Sequence, residues 1–385
     1  MLSDVASINP RLDDIPAQTR VSFVGMAELD SLAASALPRE TRTFAEVSRG
    51  YTVFRDRDIL AAKITPCWEN GKVGQALLEH AVGVGSTEFH VIRPGEGLDA
   101  RYLLHFLRQP QVKIAGQVRM TGSGGQKRVP ASFLKNLLVP LPPLSEQRRI
   151  AAILERADSI RAKRRQVLAQ LDSLAQSVFC ELFGHVAERA SLRELGVDFA
   201  SGKNVLGDDL DSHPDNRVIK VSAISSGIFL EEETKPMPRG YTPPESHLIR
   251  KNDILFGRAS GSLDLLGATA VVETEPKNLY LPDKVWRLTT RPGARVEAPY
   301  VLGVLRSSDA RAYIRHNASG AAGVRNISKA RMLEYRAPVP PVHLQREFAV
   351  RMAQIHANRT SAQRARTLDD ELFASLQSRA FRGQL

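Results

Sequence analysis

The chain repeats itself over a long interval, and this limits what it can fold into. Pro140-Leu-Pro-Pro-Leu-Ser-Glu-Gln147-Arg-Arg-Ile150 returns as Pro338-Val-Pro-Pro-Val-His-Leu-Gln345-Arg-Glu-Phe348, an offset of 198 residues (338 − 140). The same offset carries Tyr102-Leu-Leu-His-Phe-Leu-Arg108 onto Tyr300-Val-Leu-Gly-Val-Leu-Arg306, and Gly122-Ser-Gly-Gly125-Gln-Lys127 onto Gly320-Ala-Ala-Gly323-Val-Arg325. Leu174 and Phe183 map onto Leu372 and Phe381; further upstream the register slips, and Asp58-Ile-Leu60 matches Asp253-Ile-Leu255. A period of about half the 385 residues, present twice, is a duplicated domain with its helix rather than a solenoid of small units.

Each half reads the same way. Short β-branched runs such as Val21-Ser-Phe-Val24, Ala270-Val-Val-Glu273 and Val285-Trp-Arg-Leu288 lie between Gly and Pro clusters, which is the grammar of strands and turns. Helices are expected inside each globule around 99–118 and 298–316. A Pro-Pro break follows, and then a stretch free of Pro and Gly: Ser145 to Phe183 in the first half, with Ser145 as N-cap, and about 342–382 in the second. Apolar residues at 150, 153, 157, 160, 167, 171, 174 and 178, interrupted by Arg164, predict a heptad seam. Phe348, Met352, Ile355, Ala362, Ala365, Leu368, Leu372 and Leu376 predict its partner, weaker around Asn358-Arg359-Thr360. At ~1.5 Å per residue the first helix is a rod of roughly 58 Å. The rods either pair antiparallel or pack each on its own globule; their length favours pairing. The expectation is an α+β chain with a globule at 1–143, a helix at 144–184, a second globule at 185–341 and a helix at 342–385.

Lys plus Arg number 53 against 42 Asp plus Glu, a net charge of +11. The excess is spread over the four segments at +3, +2, +3 and +3, so no basic tail carries it. Arginine outnumbers lysine 40 to 13, which suits bidentate phosphate and guanine contacts but equally fits a GC-rich coding sequence. Cys67 and Cys180 are too few for a disulfide framework or a four-cysteine zinc site. The first residues lack the basic and apolar regions of a signal peptide, and no apolar run nears the ~20 residues of a membrane span. These features predict a soluble cytoplasmic chain with no membrane association.

Catalytic signatures are sparse. Gly71-Lys72-Val73 and Gly202-Lys203-Asn204 fail as phosphate loops, and no Gly-x-Gly-x-x-Gly or His-Glu-x-x-His occurs. None of the Pro-Pro pairs has the amide before it and the aromatic after it that an adenine methyltransferase needs. Pro214-Asp215 with Glu233-Thr-Lys235 has the spacing of metal-dependent nucleases, where two carboxylates hold Mg²⁺ and the lysine assists water. That pattern is short, and the first half has no counterpart to it.

The junction Pro-Leu-Pro-Pro-Leu-Ser-Glu-Gln-Arg-Arg-Ile-Ala opening a long helix resembles that of the specificity (S) subunits of type I restriction–modification enzymes. Asp58-Ile-Leu-Ala-Ala-Lys63-Ile-Thr-Pro-Cys-Trp-Glu-Asn-Gly-Lys72 resembles the signature of their target recognition domains, and Thr121-Gly-Ser-Gly-Gly-Gln-Lys-Arg their glycine turn. The resemblance runs over nearly the whole chain; the second copy departs from it, with His343-Leu344 in place of Ser-Glu and Ala318-Ser-Gly-Ala-Ala-Gly less polar. It implies two target recognition domains related by a pseudo-twofold, and an antiparallel coiled coil that acts as a ruler. It implies a non-catalytic reader of a split, asymmetric site in double-stranded DNA. It also implies two methyltransferase (modification) subunits that carry S-adenosylmethionine, and a restriction motor-nuclease subunit. No cofactor or metal is expected in this chain itself.

Base and phosphate contacts need Arg, Lys, Asn, Gln or Ser on loops. The candidates are Lys63, Trp68, Asn70, Lys72, Gln126, Lys127 and Arg128 in the first half, and Arg258, Ser260, Ser262, Arg325 and Asn326 in the second. Trp68 is equally readable as a core anchor, and the glycine turns as packing of globule on helix. The helix junctions, with a partner-binding role, are Pro142, Pro143, Glu146, Gln147, Pro340, Pro341 and Gln345. The competing readings are a metal-dependent nuclease built on Asp215, Glu233 and Lys235, and a protein-binding coiled-coil adaptor.

Overall fold

The computed structural model describes residues 1–11, 14–123, 125–205, 212–320 and 323–385, the side chains of 212–214 excepted. Gly124, residues 321–322 and the Pro214 side chain, each within a motif noted above, therefore lie outside the described residues. The chain divides into two compact units, Met1–Val167 with Ala362–Leu385, and Leu168–Ser361. The division cuts through both long helices, so each unit owns a sheet-rich globule and part of each helix.

In the first unit a six-stranded sheet runs in the order Ala6–Ile8, Phe89–Pro94, Ile59–Ala62, Val73–Ala76, Ser35–Ala36, Leu29–Asp30. A four-stranded sheet, Glu40–Thr43, Arg20–Val24, Val82–Gly85 and Thr52–Arg55, accompanies it. The run Ile-Leu-Ala-Ala at 59–62 is apolar throughout because both its faces are buried. Successive side chains point to opposite faces: Ile59 and Ala61 pack with Tyr102, Leu103, Ile150 and Leu154, while Leu60 and Ala62 pack with Val24, Phe54 and Phe89. The helical stretch expected at 99–118 is two helices, Ala100–Leu107 and Pro110–Val118. Asp99 caps the first by accepting from the Arg101 and Tyr102 amides, and Pro110 opens the second.

The second unit repeats this plan. Its main sheet orders Val197–Ser201, Val285–Thr290, Ile254–Gly257 and Thr269–Val271, and a smaller sheet joins Thr234–Pro238, Ser212–Ile219 and Leu279–Tyr280. Ile254 and Phe256 face the helices and Leu255 the other side, as in the first copy. Ala298–Arg306 and Ser308–His316 form the matching helix pair, with Ser307 capping the second. Asp253 receives Arg287 Nη1 at 3.3 Å, the counterpart of the Arg93–Asp58 pair at 2.7 Å.

The long helices are Leu144–Phe183 and Val342–Ala380, and within each unit they run antiparallel. Arg161 meets Asp370 at 2.6 Å and Arg164 meets Asp369 at 3.2 Å in the first unit; Arg359 meets Asp172 at 2.9 Å in the second. The first helix begins one residue before Ser145, so this serine sits in the first turn and is not the cap. The expected heptad seam holds only in part: Ile150, Val178, Phe348, Ile355 and Ala362 are buried. Ile160, Val167, Leu174, Leu368 and Leu372 are 40–65% exposed, whereas Leu154, Leu168, Leu182 and Phe373, outside that seam, are buried. A helix of 3.6 residues per turn drifts away from a strict 3.5 repeat unless it supercoils. Here the middle contacts are arginine–carboxylate pairs, and the ends turn toward their globules.

Those ends are aromatic. Phe183 packs edge-on against Tyr300 at 4.9 Å in the second unit, and Phe381 against Tyr102 at 5.1 Å in the first. Each tyrosine hydroxyl then donates to a proline carbonyl of the adjoining break, Tyr102 to Pro140 at 3.0 Å and Tyr300 to Pro338 at 2.7 Å. Gln147 completes the first junction: its Oε1 accepts from the Asp99 amide at 2.9 Å, and its Nε2 donates to the carbonyls of Gly97 at 3.0 Å and Pro142 at 2.9 Å. Gln345 makes the same set with Glu297, Arg295 and Pro340 at 2.9, 3.1 and 3.0 Å. Both glutamines are buried.

Removing either amide leaves one N–H and two carbonyls of the junction, most of them partly buried, without their partner. Gln147→Ala and Gln345→Ala should therefore each lower stability by roughly 2–3 kcal/mol in urea unfolding; a loss below ~0.5 kcal/mol would show that the junction does not depend on them. A second prediction concerns His105, whose ring lies 6.3 Å from Phe373 and whose Nδ1 is buried without a hydrogen-bond partner. Burial, with the Arg108 charge nearby, pushes its pKa down to about 4. The unfolded chain takes up this proton near pH 6.5 while the folded chain refuses it, so stability is complete above neutral pH and is lost as pH falls toward 4. Between pH 7 and 5 the wild type should lose roughly 2 kcal/mol more than His105→Leu in urea titrations; parallel pH profiles would contradict this.

Candidate nucleic-acid interface

The central strand of each unit runs out into the signature loop, and the glycine turn is fastened to that exit. In the first unit the Val129 amide donates to the Lys63 carbonyl at 2.8 Å, and the Thr65 amide to the Lys127 carbonyl at 2.9 Å. Thr65 Oγ1 donates to the Gly125 carbonyl at 2.7 Å and accepts from the Lys127 amide at 3.1 Å. The turn is itself a small hairpin closed by reciprocal backbone bonds between Thr121 and Arg128 at 3.0 and 2.8 Å. Gly122 has φ 130°, and a Cβ there would lie 2.6 Å from the Gln126 carbonyl oxygen, so a side chain does not fit.

The second unit builds the same clasp from other residues. The Ile327 amide donates to the Arg258 carbonyl at 2.9 Å, and Ser319 and Asn326 exchange backbone bonds at 2.8 Å. Ala259 pairs with Asn326 and Ser260 with Arg325 as a two-stranded ribbon. Gly320 has φ 114°, and a Cβ would sit 2.2 Å from the Val324 carbonyl oxygen. The glycines are thus required by the turn's own backbone.

Most of the expected residues gather on these clasps. Gln126, Lys127, Ser262 and Arg325 are exposed, and Lys63, Ser260 and Asn326 are half-buried. Lys63 borders a hollow of about 410 Å³ with Asn9, Arg11, Thr52 and Phe89. Arg128 is engaged by Glu88, with Nη2 at 2.7 Å and Nε at 3.0 Å, and this arginine holds the Glu88 carboxyl below its usual range. Arg258 Nε donates to the Asp283 carbonyl at 2.7 Å, and Asp283 Oδ1 is buried with no hydrogen-bond partner. Ser319 Oγ donates to Asn326 Oδ1 at 3.0 Å.

Three first-half candidates sit elsewhere. Trp68 is 3% exposed, its ring lies edge-on to Phe133 at 6.0 Å, and its Nε1 donates to the Lys113 carbonyl at 2.9 Å. Gly116 makes room for it, since a Cβ there would fall 2.3 Å from the indole. The indole is a core anchor with no edge to offer a base. Lys72 Nζ is held by the Met26 carbonyl at 2.7 Å. Asn70 is exposed, but it borders a different hollow, of about 220 Å³, with Trp68, Gly71 and Lys113.

At the junctions, Gln147, Gln345 and Pro340 are buried inside their units and offer no surface to a partner. Pro143 and Pro341 are exposed, Pro142 is half-buried, and Glu146 pairs with Arg149 at 2.7 Å. Asn9 and Arg11, beside Lys63, were not among the sequence candidates; nothing in their local pattern marks them. Glu233 accepts from Ser222 Oγ at 2.7 Å and faces Lys220 at 3.6 Å, while Lys235 pairs across the sheet with Val218. Among the described residues no group of three His, Cys, Asp or Glu side chains is placed to hold a metal ion, and no helix is long and apolar enough to cross a membrane.

Residues 16–172 match the family model for the type I restriction modification DNA specificity domain. The chain is 44% identical over 151 residues to the EcoEI specificity subunit of Escherichia coli, covering 39% of this chain and 25% of that one. It is 36% identical over 205 residues to the Escherichia coli EcoAI specificity subunit, covering 52% of this chain and 34% of that one. The chain thus spans about a quarter to a third of the length of these relatives. Its fold is similar to that of the type I restriction-modification S subunit from M. genitalium, with a TM-score of 0.56 at 14% identity over 99% of this chain and 94% of that one. Through residues 16–172 and through its duplicated fold, the chain is similar to the specificity (S) subunits of type I restriction–modification systems.

Proposed function

We propose that the chain is the DNA-reading subunit of a type I restriction–modification assembly and performs no chemistry itself. The observation that carries this reading is the clasp built twice on one backbone plan with different side chains. Lys63, Gln126 and Lys127 occupy in one unit the place that Arg258, Ser260, Arg325 and Asn326 occupy in the other. A duplicated scaffold with divergent polar surfaces suits a target of two unlike halves. Base edges are read by such side chains, and phosphates by the lysines and arginines around them.

In this reading each globule takes one half-site of double-stranded DNA, and the half-sites lie about one helical turn, ~34 Å, apart. The long helices act as the ruler and as the seat of two methyltransferase subunits. Those subunits supply S-adenosylmethionine and the transfer step, and a restriction motor-nuclease subunit joins for cleavage. This chain needs no cofactor or metal for its part.

Co-expression with a type I modification subunit, followed by purification and methylation mapping, tests the proposal. The expected result is a complex of one chain with two modification subunits that methylates one split sequence. A chain that neither co-purifies nor directs site-specific methylation overturns it. Within that complex, Lys63→Ala with Lys127→Ala should weaken duplex binding about tenfold near 0.1 M salt and reduce the salt slope by roughly one to two. Arg258→Ala should weaken binding as well; unchanged salt-titrated affinity in both variants removes these residues from the interface. Trp68→Ala should instead cost roughly 3–5 kcal/mol of stability.

A further inference from the structure

One cavity belongs neither to the clasps nor to the junctions. It lies within the second unit, measures about 320 Å³, and is walled by Asp172, Gln176, Phe179, Phe348, Arg306 and Arg359 among others. Arg306, the last residue of its helix, is part-buried. Its Nε donates to Thr269 Oγ1 at 2.9 Å, and its Nη2 to the carbonyls of Thr269 and Gly227 at 3.2 and 3.4 Å. No carboxylate among the described residues pairs with it. Asp172 is taken by Arg359 at 2.9 Å. Burial, with the Arg359 charge nearby, draws the Arg306 pKa down to about 10, and the Asp172 carboxylate offsets this only in part. Gln176 adds a buried Nε2 that has no hydrogen-bond partner.

The first half of the chain shows what this place has lost. By the 198-residue offset, Arg306 corresponds to Arg108, Arg359 to Arg161, Asp172 to Asp370, His356 to Asp158 and Ala175 to Phe373. In the first unit Arg108 is neutralised by Asp158 at 3.0 Å, and the Phe373 ring fills the space 4.3 Å from the Arg161 guanidinium. The groove beside Arg108, about 310 Å³, is walled by Glu155 and Asp158. The second unit keeps the Arg359–Asp172 pair but has a histidine where the carboxylate stood, and that histidine is engaged by Glu273 at 2.8 Å. Where the phenyl ring stood it has an alanine.

We propose that this cavity binds one carboxylate carried on a small, flat apolar body. The anion meets Arg306 and Gln176, and the apolar part lies against Phe179, Phe348 and Met352. A charge-assisted guanidinium–carboxylate contact is roughly twice as strong as a neutral hydrogen bond. A dianionic phosphate fits less well, because Asp172 stands on the same wall.

Titration calorimetry of the full chain with sodium benzoate, benzamide and inorganic phosphate tests this. Benzoate should bind at one site, with benzamide at least tenfold weaker and phosphate unable to compete. Ala175→Phe refills the volume as the first half does, and Gln176→Leu removes the free donor; both leave every bond of Arg306 in place. Each should weaken benzoate at least tenfold while the melting transition stays cooperative. Equal binding of benzamide and benzoate, unchanged benzoate affinity in Ala175→Phe, or no benzoate binding up to about 10 mM would each overturn the proposal. Repeating the titration with a type I modification subunit present separates two sources of the carboxylate: displacement assigns it to a carboxylate that the subunit presents beside a flat apolar side chain, and retained binding to a free small molecule.

Discussion

Everything in each unit is hung from one buried amide. A Pro-Pro segment brings carbonyls to the helix start but no N–H groups, so it needs donors from elsewhere. Gln147 is suited to the place because it carries one acceptor and two donor hydrogens, and the junction uses all three. A glutamate would turn two of those contacts into repulsions. The amide thereby fixes three things at once: where the globule's helix Ala100–Leu107 begins, where the proline segment lies, and where the long helix starts. Gln345 does the same with its own globule, and Tyr102 and Tyr300 seal the outer side by donating to the first proline of each segment.

This explains why the junction was the most legible part of the sequence. Its residues contact the backbone, and backbone geometry is common to both copies, so the amino acids that satisfy it recur at a fixed offset. The same holds for Gly122 and Gly320, whose positive φ admits no side chain. The strand Ile59–Ala62 was legible for another reason: burial on both faces leaves only apolar choices.

What was misread depends on direction rather than residue type. Trp68 and Lys72 belong to the signature loop, but one turns into the core and the other onto a backbone carbonyl, and spacing does not encode which way a loop residue points. The leucines at 174, 368 and 372 keep a heptad rhythm, yet they are exposed, while arginine–carboxylate pairs and the buried Leu168 and Ala362 lie in the middle of the helices. Asn9 and Arg11 reach Lys63 only through tertiary folding, far from any motif. The Arg306 cavity shows only when the two halves are laid over each other, because it is defined by what one copy lacks.

The division of the helices has a consequence for how the protein is made. The core of the first unit includes Phe373 and Ala380, and Tyr102 packs on Phe381. The chain that forms this unit's sheets is synthesised long before the residues that close its core. Contacts across so large a sequence separation are slow to form, because loop closure precedes their reward. The second unit, by contrast, is built from one continuous stretch, Leu168–Ser361. The later globule has all of its residues once residue 361 is made, whereas the earlier one waits with an apolar helix-docking face uncovered until residues 362–385 arrive.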